Sequence, residues 1–146
     1  LEWVEESLPL HVEGLAARRG KQLAGRLRGW MADGRLEVVH DSFYTGPLPF
    51  WEAPSELQAR FDTASLVVCK GDANYRRLLG DLHWPHDLPF EVLMQLYWKT
   101  SVVALRTCKS GVLVGVRPEV EAAAVAAEPE RWLTGGIYGM ACLSTV

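Results

Sequence analysis

The residues best equipped for chemistry in this 146-residue chain lie in two short runs, Lys70-Gly71-Asp72-Ala73-Asn74-Tyr75-Arg76 and Arg106-Thr107-Cys108-Lys109. The first follows the apolar residues 66–69 and leads into helical spacing through Tyr75, Leu78 and Leu79. It therefore reads as a buried strand that stops at a Lys-Gly-Asp corner and passes straight into a helix. Such a corner leaves backbone N–H groups unpaired at the helix start, with the positive end of the helix dipole behind them. Lys70 and Arg76 add two cations. A junction of this kind suits an anion, most obviously a phosphate. A Gly-rich phosphate loop is excluded, because one glycine is present and no Gly-Lys-Ser/Thr follows. The second run also ends an apolar stretch, residues 101–105. Ligands of open α/β sheets bind outside the carboxyl ends of the strands. If the two strands are neighbours, Lys70, Arg76, Arg106 and Lys109 meet Asn74 and Thr107 in one crevice, and an oxyanion would balance the charge. Asp72 and Asn74 equally suit a helix N-cap. The pattern leaves two readings open: an oxyanion site, or a structural corner whose cations form surface ion pairs.

Other chemistry-bearing residues are less well placed. His83-Trp84-Pro85-His86 interposes a proline between its histidines, with no cysteine or carboxylate cluster in range, and reads as a loop rather than a zinc site. His40-Asp41 has the look of half a catalytic triad, but no serine sits in Gly-x-Ser-x-Gly. His11 is expected on a helix surface. Cys69, Cys108 and Cys142 each lie in or beside an apolar stretch and read as buried, reduced thiols of a cytoplasmic protein.

The elements that would position these residues follow from the periodicity. Residues 1–7 resemble the tail of a helix, Pro9 suits the first turn of a new one running to about Arg18, and residues 21–32 show an apolar helical stripe with basic flanks. Residues 36–40 are expected to form a strand, 43–51 a stiff aromatic and proline-rich loop, and 56–61 a short helix. A helix is expected over 89–98, strands over 101–105 and 112–116, a helix over 119–127 and a last strand over 136–143. Strands alternating with helices argue for an α/β fold with a mainly parallel sheet and helices on both faces, a Rossmann-like layering.

A chain of this length with 49% hydrophobic residues can hold one core without staples. Its net charge of −3 disfavours a nucleic-acid partner, and no apolar run approaches a membrane span of about 20 residues. No signal peptide is visible in the acidic start. The chain begins at Leu1 without methionine, inside a helical pattern, and is expected to be the remainder of something longer.

Taken together, Lys70-Gly71-Asp72-Ala73-Asn74-Tyr75-Arg76, Gly80-Asp81 with Trp84, Leu105-Arg106-Thr107-Cys108-Lys109 and Trp132-Leu133-Thr134-x-Gly136-x-Tyr138-Gly139 resemble the metal-dependent damage-control phosphatases. More narrowly they resemble the subfamily marked by Arg-Thr-x-Lys, also named acidic-residue (protein-glutamate) methyltransferases. His40-Asp41-x-Phe43 and Phe50-Trp51 look like that family's loop, and the likeness spans residues 36–143. It implies hydrolysis of phosphomonoesters, small sugar phosphates or damaged phosphometabolites, with a divalent metal (manganese, nickel, cobalt or magnesium). Carried over by position, Asp72, Ala73, Asn74, Tyr75 and Arg76 would contact substrate and Lys109 would hold the phosphate. Lys70, Gly71, Arg106, Thr107 and Asp41 form a supporting set. The family's metal-binding Asp-Asn-x-Gly-x-Glu and Val-Ser-Asp motifs are absent from this sequence. Metal ligands are therefore expected upstream of Leu1, none in this chain, which would be the C-terminal part of a catalytic domain (1–35 a helical lead-in, 36–146 the motif-bearing sheet) and incomplete without that segment. Two other functions stay open: a carboxyl methyltransferase, for which no Gly-rich adenosyl-methionine corner is visible, and a non-catalytic anion-binding module.

Overall fold

The computed structural model describes residues 15–146. The chain divides into two compact units, residues 1–41 and 42–146. In the first, α1 (Leu15–Ala32) confirms the helical stripe of residues 21–32. It ends where Gly34, at φ 71°, turns the chain back so that the Arg35 and Leu36 N–H groups donate to Trp30 O. Only glycine enters that left-handed region without strain, which makes Gly34 an effective stop. Residues 36–40, expected as a strand, run without a ladder partner among the described residues, and Val38 and Val39 are exposed. Apolar spacing alone does not make a strand, since its backbone groups need a neighbour to bond. The helices expected within residues 1–14, and His11, lie outside the described residues.

The second unit carries a mixed sheet of three strands in the order β1-β2-β3. β1 (Val67–Lys70) pairs in parallel with β2 (Val102–Thr107), the adjacency that the two cationic runs require. β3 (Gly139–Ser144) pairs with β2 antiparallel, so the sheet is one parallel and one antiparallel pair rather than mainly parallel. Ahead of the sheet come short 3-10 turns at Ser42–Thr45 and Phe50–Glu52 and α2 (Ser55–Asp62). α3 (Asp72–Leu78) follows β1 directly, α4 (Phe90–Met94) precedes β2, and α5 (Pro118–Ala127) opens with the proline suited to a first turn. α4 is shorter than the helix expected over 89–98: beyond Met94 the chain continues in turns through Trp98.

Cys69, Val102, Ala104 and Arg106 point from the sheet into the core, where they meet Tyr75, Leu78 and Leu79 of α3 and Phe90, Leu93 and Met94 of α4. The opposite face of the sheet is exposed, with Val68, Leu105 and Leu143 all more than a third accessible. Within this unit the helices that bury side chains therefore cover one face, not both.

Residues 112–116 do not form the expected strand, although Val112, Leu113 and Val114 are buried. Their backbone is satisfied by other means. The Arg106 guanidinium donates to Val112 O, and the Tyr75 hydroxyl accepts from Val114 N (3.0 Å) and donates to Val114 O (3.3 Å). Gly115 N and Val116 N donate to Leu88 O and His86 O. A buried apolar run needs its polar backbone paired, and side chains can do it as well as a ladder.

Candidate functional site

Alternate side chains along a strand face opposite ways, and this sorts the cations. Lys70, Leu105 and Thr107 stand on the exposed face, whereas Arg106 points inward. In register, Lys70 lies opposite Leu105 and Thr107 opposite Gly139. At the carboxyl ends of β1 and β2, Lys70, Gly71, Leu105, Thr107, Met140 and Ala141 line an open crevice of about 460 Å³. Arg106 borders it through backbone alone, because its side chain is 0% exposed.

The corner between β1 and α3 turns on Gly71, whose φ of 105° an L side chain would resist. Gly71 N donates to Leu105 O at 2.7 Å, which extends the ladder one residue beyond β1. No side chain caps α3. Asn74 instead donates from Nδ2 to Lys70 O at 2.9 Å, and Asp72 reaches across to the loop after β2. The first N–H groups of α3, at Asp72, Ala73 and Asn74, have no helical acceptor. With a length of seven residues and Asp72 in its first turn, α3 offers little dipole to an anion beyond those groups.

Asp72 Oδ1 is a junction. It takes Arg106 NH2 at 2.6 Å, Lys109 N at 3.2 Å and Ser110 Oγ at 3.4 Å. Arg106 also donates to Ser110 O at 3.2 Å and to Val112 O, and lies 4.3 Å over the Tyr75 ring. Ser110 was not singled out among the candidate residues, although the Arg-Thr-x-Lys run leads straight into it. Tyr75 is 1% exposed and its hydroxyl is held by Val114, so its ring belongs to the core beneath the corner. Arg76 grips Asp81 with two bonds of 2.6 Å, which hold the Asp81 carboxyl below its ordinary range. The four cations of the two runs therefore do not converge on one ligand. Arg106 and Arg76 are ion-paired, while Lys70 and Lys109 are exposed and have no ion pair among the described residues.

The loop before β3 braces the other side. Gly136 N donates to Cys108 O at 2.9 Å and Cys108 N to Tyr138 O at 2.8 Å. A Cβ on Gly136 would stand 3.8 Å from both Lys109 Cε and Thr107 Cγ2, so the Gly136 backbone lies close to both side chains. Asp41 belongs to the first unit.

The donor set does not suit a divalent cation. Such an ion wants several oxygen ligands, yet Asp72 and Asp81 are taken by arginines, and no group of three or more His, Cys, Asp or Glu side chains assembles among the described residues. His83 and His86 lie in a loop, with His86 Nδ1 2.8 Å from Glu121 Oε1. The cysteines are free, and burial pushes the Cys69 and Cys142 thiols up to about 11, which makes them poor nucleophiles near neutral pH. No helix among the described residues is long and apolar enough to cross a membrane.

Residues 6–124 match the family model described as the damage-control phosphatase ARMT1-like domain. The chain belongs to that family. Among its relatives, damage-control phosphatase ARMT1 of Rattus norvegicus is 36% identical over 146 residues, covering 95% of this chain and 31% of the rat protein. The mouse protein of the same name is 34% identical over 117 residues (76% of this chain, 26% of the relative), and the human one 34% over 107 residues (70% and 24%). The chain thus spans about a quarter to a third of the length of these relatives. In this ARMT1-like domain the corner after β1, the Arg-Thr-x-Lys run and the Gly136-x-Tyr138-Gly139 run meet at one end of the sheet.

Proposed function

We propose that the crevice at the carboxyl ends of β1 and β2 holds the phosphate of a small phosphorylated metabolite, a sugar phosphate or a damaged phosphometabolite. On this reading the chain supplies the phosphate-binding part of a phosphomonoester hydrolase, with any divalent metal held by residues upstream of Leu1. One observation carries the reading. In a member of a damage-control phosphatase family, Lys70 lines the crevice and Lys109 lies two residues beyond Thr107, which also lines it; neither lysine has an ion pair among the described residues, while Arg76 and Arg106 already have carboxylate partners. Lys109 neutralises phosphoryl oxygens, and the open N–H groups of Ala73 and Asn74 add donors whose orientation is fixed before substrate arrives. Asn74, tethered through Nδ2 to Lys70 O, keeps Oδ1 for a substrate hydroxyl. Asp72 holds the Lys109 backbone in place, and Arg76 reaches a ligand only by exchanging Asp81 for it.

Titration with a sugar phosphate tests the clamp. Lys109→Ala is expected to weaken binding about 10- to 150-fold, the worth of a charge-assisted contact of about 1.5–3 kcal/mol. Unchanged affinity in that variant removes the site.

Hydrolysis is expected to require more than this chain. Phosphate monoesters are among the slowest substrates to react without catalysis, and two lysines with backbone donors position a phosphate without activating an attacking water. Assayed on a sugar phosphate with manganese, cobalt, nickel or magnesium, residues 1–146 should show no metal-dependent turnover, whereas the protein carrying the preceding segment should. Turnover by residues 1–146 alone would mean that Asp72 or Asp81 leaves its arginine to bind metal.

A further inference from the structure

Arg106 is a charged side chain with no exposed surface, spent on partners inside the protein. Its guanidinium carbon lies 4.3 Å from the Tyr75 ring centroid, and its two terminal nitrogens go to two places, NH1 to Val112 O and NH2 to Asp72 and Ser110, while Nε is buried without a hydrogen-bond partner among the described residues. The same Asp72 oxygen accepts the Lys109 N–H. A fork of this shape suits arginine, since lysine cannot span two acceptors in a plane. The spacing of Arg-Thr-x-Lys follows from it. Arg106 faces inward on β2 and Thr107 outward, and Lys109 then bends back so that its own N–H meets the carboxylate that Arg106 holds.

We infer that Arg106, through Asp72, is the positioning residue for Lys109: it sets where the lysine stands relative to a phosphate without touching the ligand. This rests on the phosphate reading above, and it turns the arginine of the motif from an anion contact into a part of the frame.

The inference makes an electrostatically contrary prediction. Arg106→Lys conserves charge, and Asp72→Asn removes a negative charge near the anion, so by field alone the first is neutral and the second tightens binding. If the Asp72–Arg106 pair acts by placing Lys109, both variants weaken binding of inorganic phosphate, by roughly tenfold, as for partners that orient a liganding group. A cycle with Lys109→Ala supplies the second readout. In the Lys109→Ala background neither variant should weaken binding further, because the group being positioned is gone. Calorimetric titration of the folded chain with inorganic phosphate reads all of these, and Asp72→Asn, the gentler change, answers the question if Arg106→Lys fails to fold. Tighter or unchanged binding in Asp72→Asn, or losses that add in full to that of Lys109→Ala, overturns the inference and leaves the phosphate site standing. A wild-type chain that does not bind phosphate, or a Lys109→Ala chain that binds as well as wild type, overturns both.

Discussion

Arg77→Ala is expected to destabilise the chain by about 3 kcal/mol, the upper end for hydrogen bonds made by a charged group. Arg77 follows the site residues on α3 but turns away from the crevice. It is 8% exposed and donates to Leu48 O at 2.7 Å and Phe43 O at 2.8 Å, with Tyr44 O at 3.4 Å. Its guanidinium also lies 4.4 Å from the Phe43 ring centroid and 4.9 Å from that of Phe50. A single side chain thus pins the aromatic, proline-rich loop against α3, and without it the Leu48 and Tyr44 carbonyls lose this donor while Phe43 O keeps the Gly46 N–H. Arg77→Lys should recover only part of the loss, since an ammonium cannot serve spread acceptors and stack between rings. The check is the urea midpoint at an unchanged slope. A loss below about 1 kcal/mol would show that the loop holds its place through Phe43 and Phe50 packing alone.

Tyr75→Ala should cost at least as much, about 3–5 kcal/mol for an aromatic ring removed from a closed core. The ring lies 6.3 Å from that of Phe90 and parallel to it, with Arg106 on it at 4.3 Å, and its hydroxyl binds both polar groups of Val114. Tyr75→Phe separates the parts. It keeps the ring and strands the Val114 N–H, for about 1–3 kcal/mol. Because the hydroxyl takes the place of ladder bonds at Val114, amide exchange there should rise in Tyr75→Phe more than at Ala104 on β2. Equal changes at both would mean that the whole unit loosens and the hydroxyl has no local role.

Much of the site was legible because its signals are local. An apolar run ending in Lys70-Gly71-Asp72 fixes a strand, a corner and a helix, and the structure has all of them with β2 alongside in parallel. The inward aim of Arg106 was not available in the same way, because Val102 and Ala104 on its own phase of the strand are matched by Val103 and Leu105 on the other. What could not be read locally were bonds across long separations. Nothing near Arg77 announces acceptors at Phe43 and Leu48, and nothing in residues 112–116 distinguishes a strand from a stretch satisfied by Tyr75 and Arg106. Residues 36–40 show the converse, a strand-like pattern without a ladder partner among the described residues. Resemblance located the Arg-Thr-x-Lys run; the division of labour within it, with Lys109 at the surface and Arg106 inside, comes from the pleat.

The side of the sheet that no described residue covers has a colloidal consequence for residues 1–146. Val68, Leu105 and Leu143 make a water-facing apolar strip beside the crevice, and strips of that kind draw molecules together as concentration rises. Val68 and Leu143 are at once the adhesive positions and the permissive ones. Their side chains take no part in the buried cluster, so glutamate or lysine there would make the molecule more repulsive to its own copies while leaving the interior that frames Lys109 unchanged.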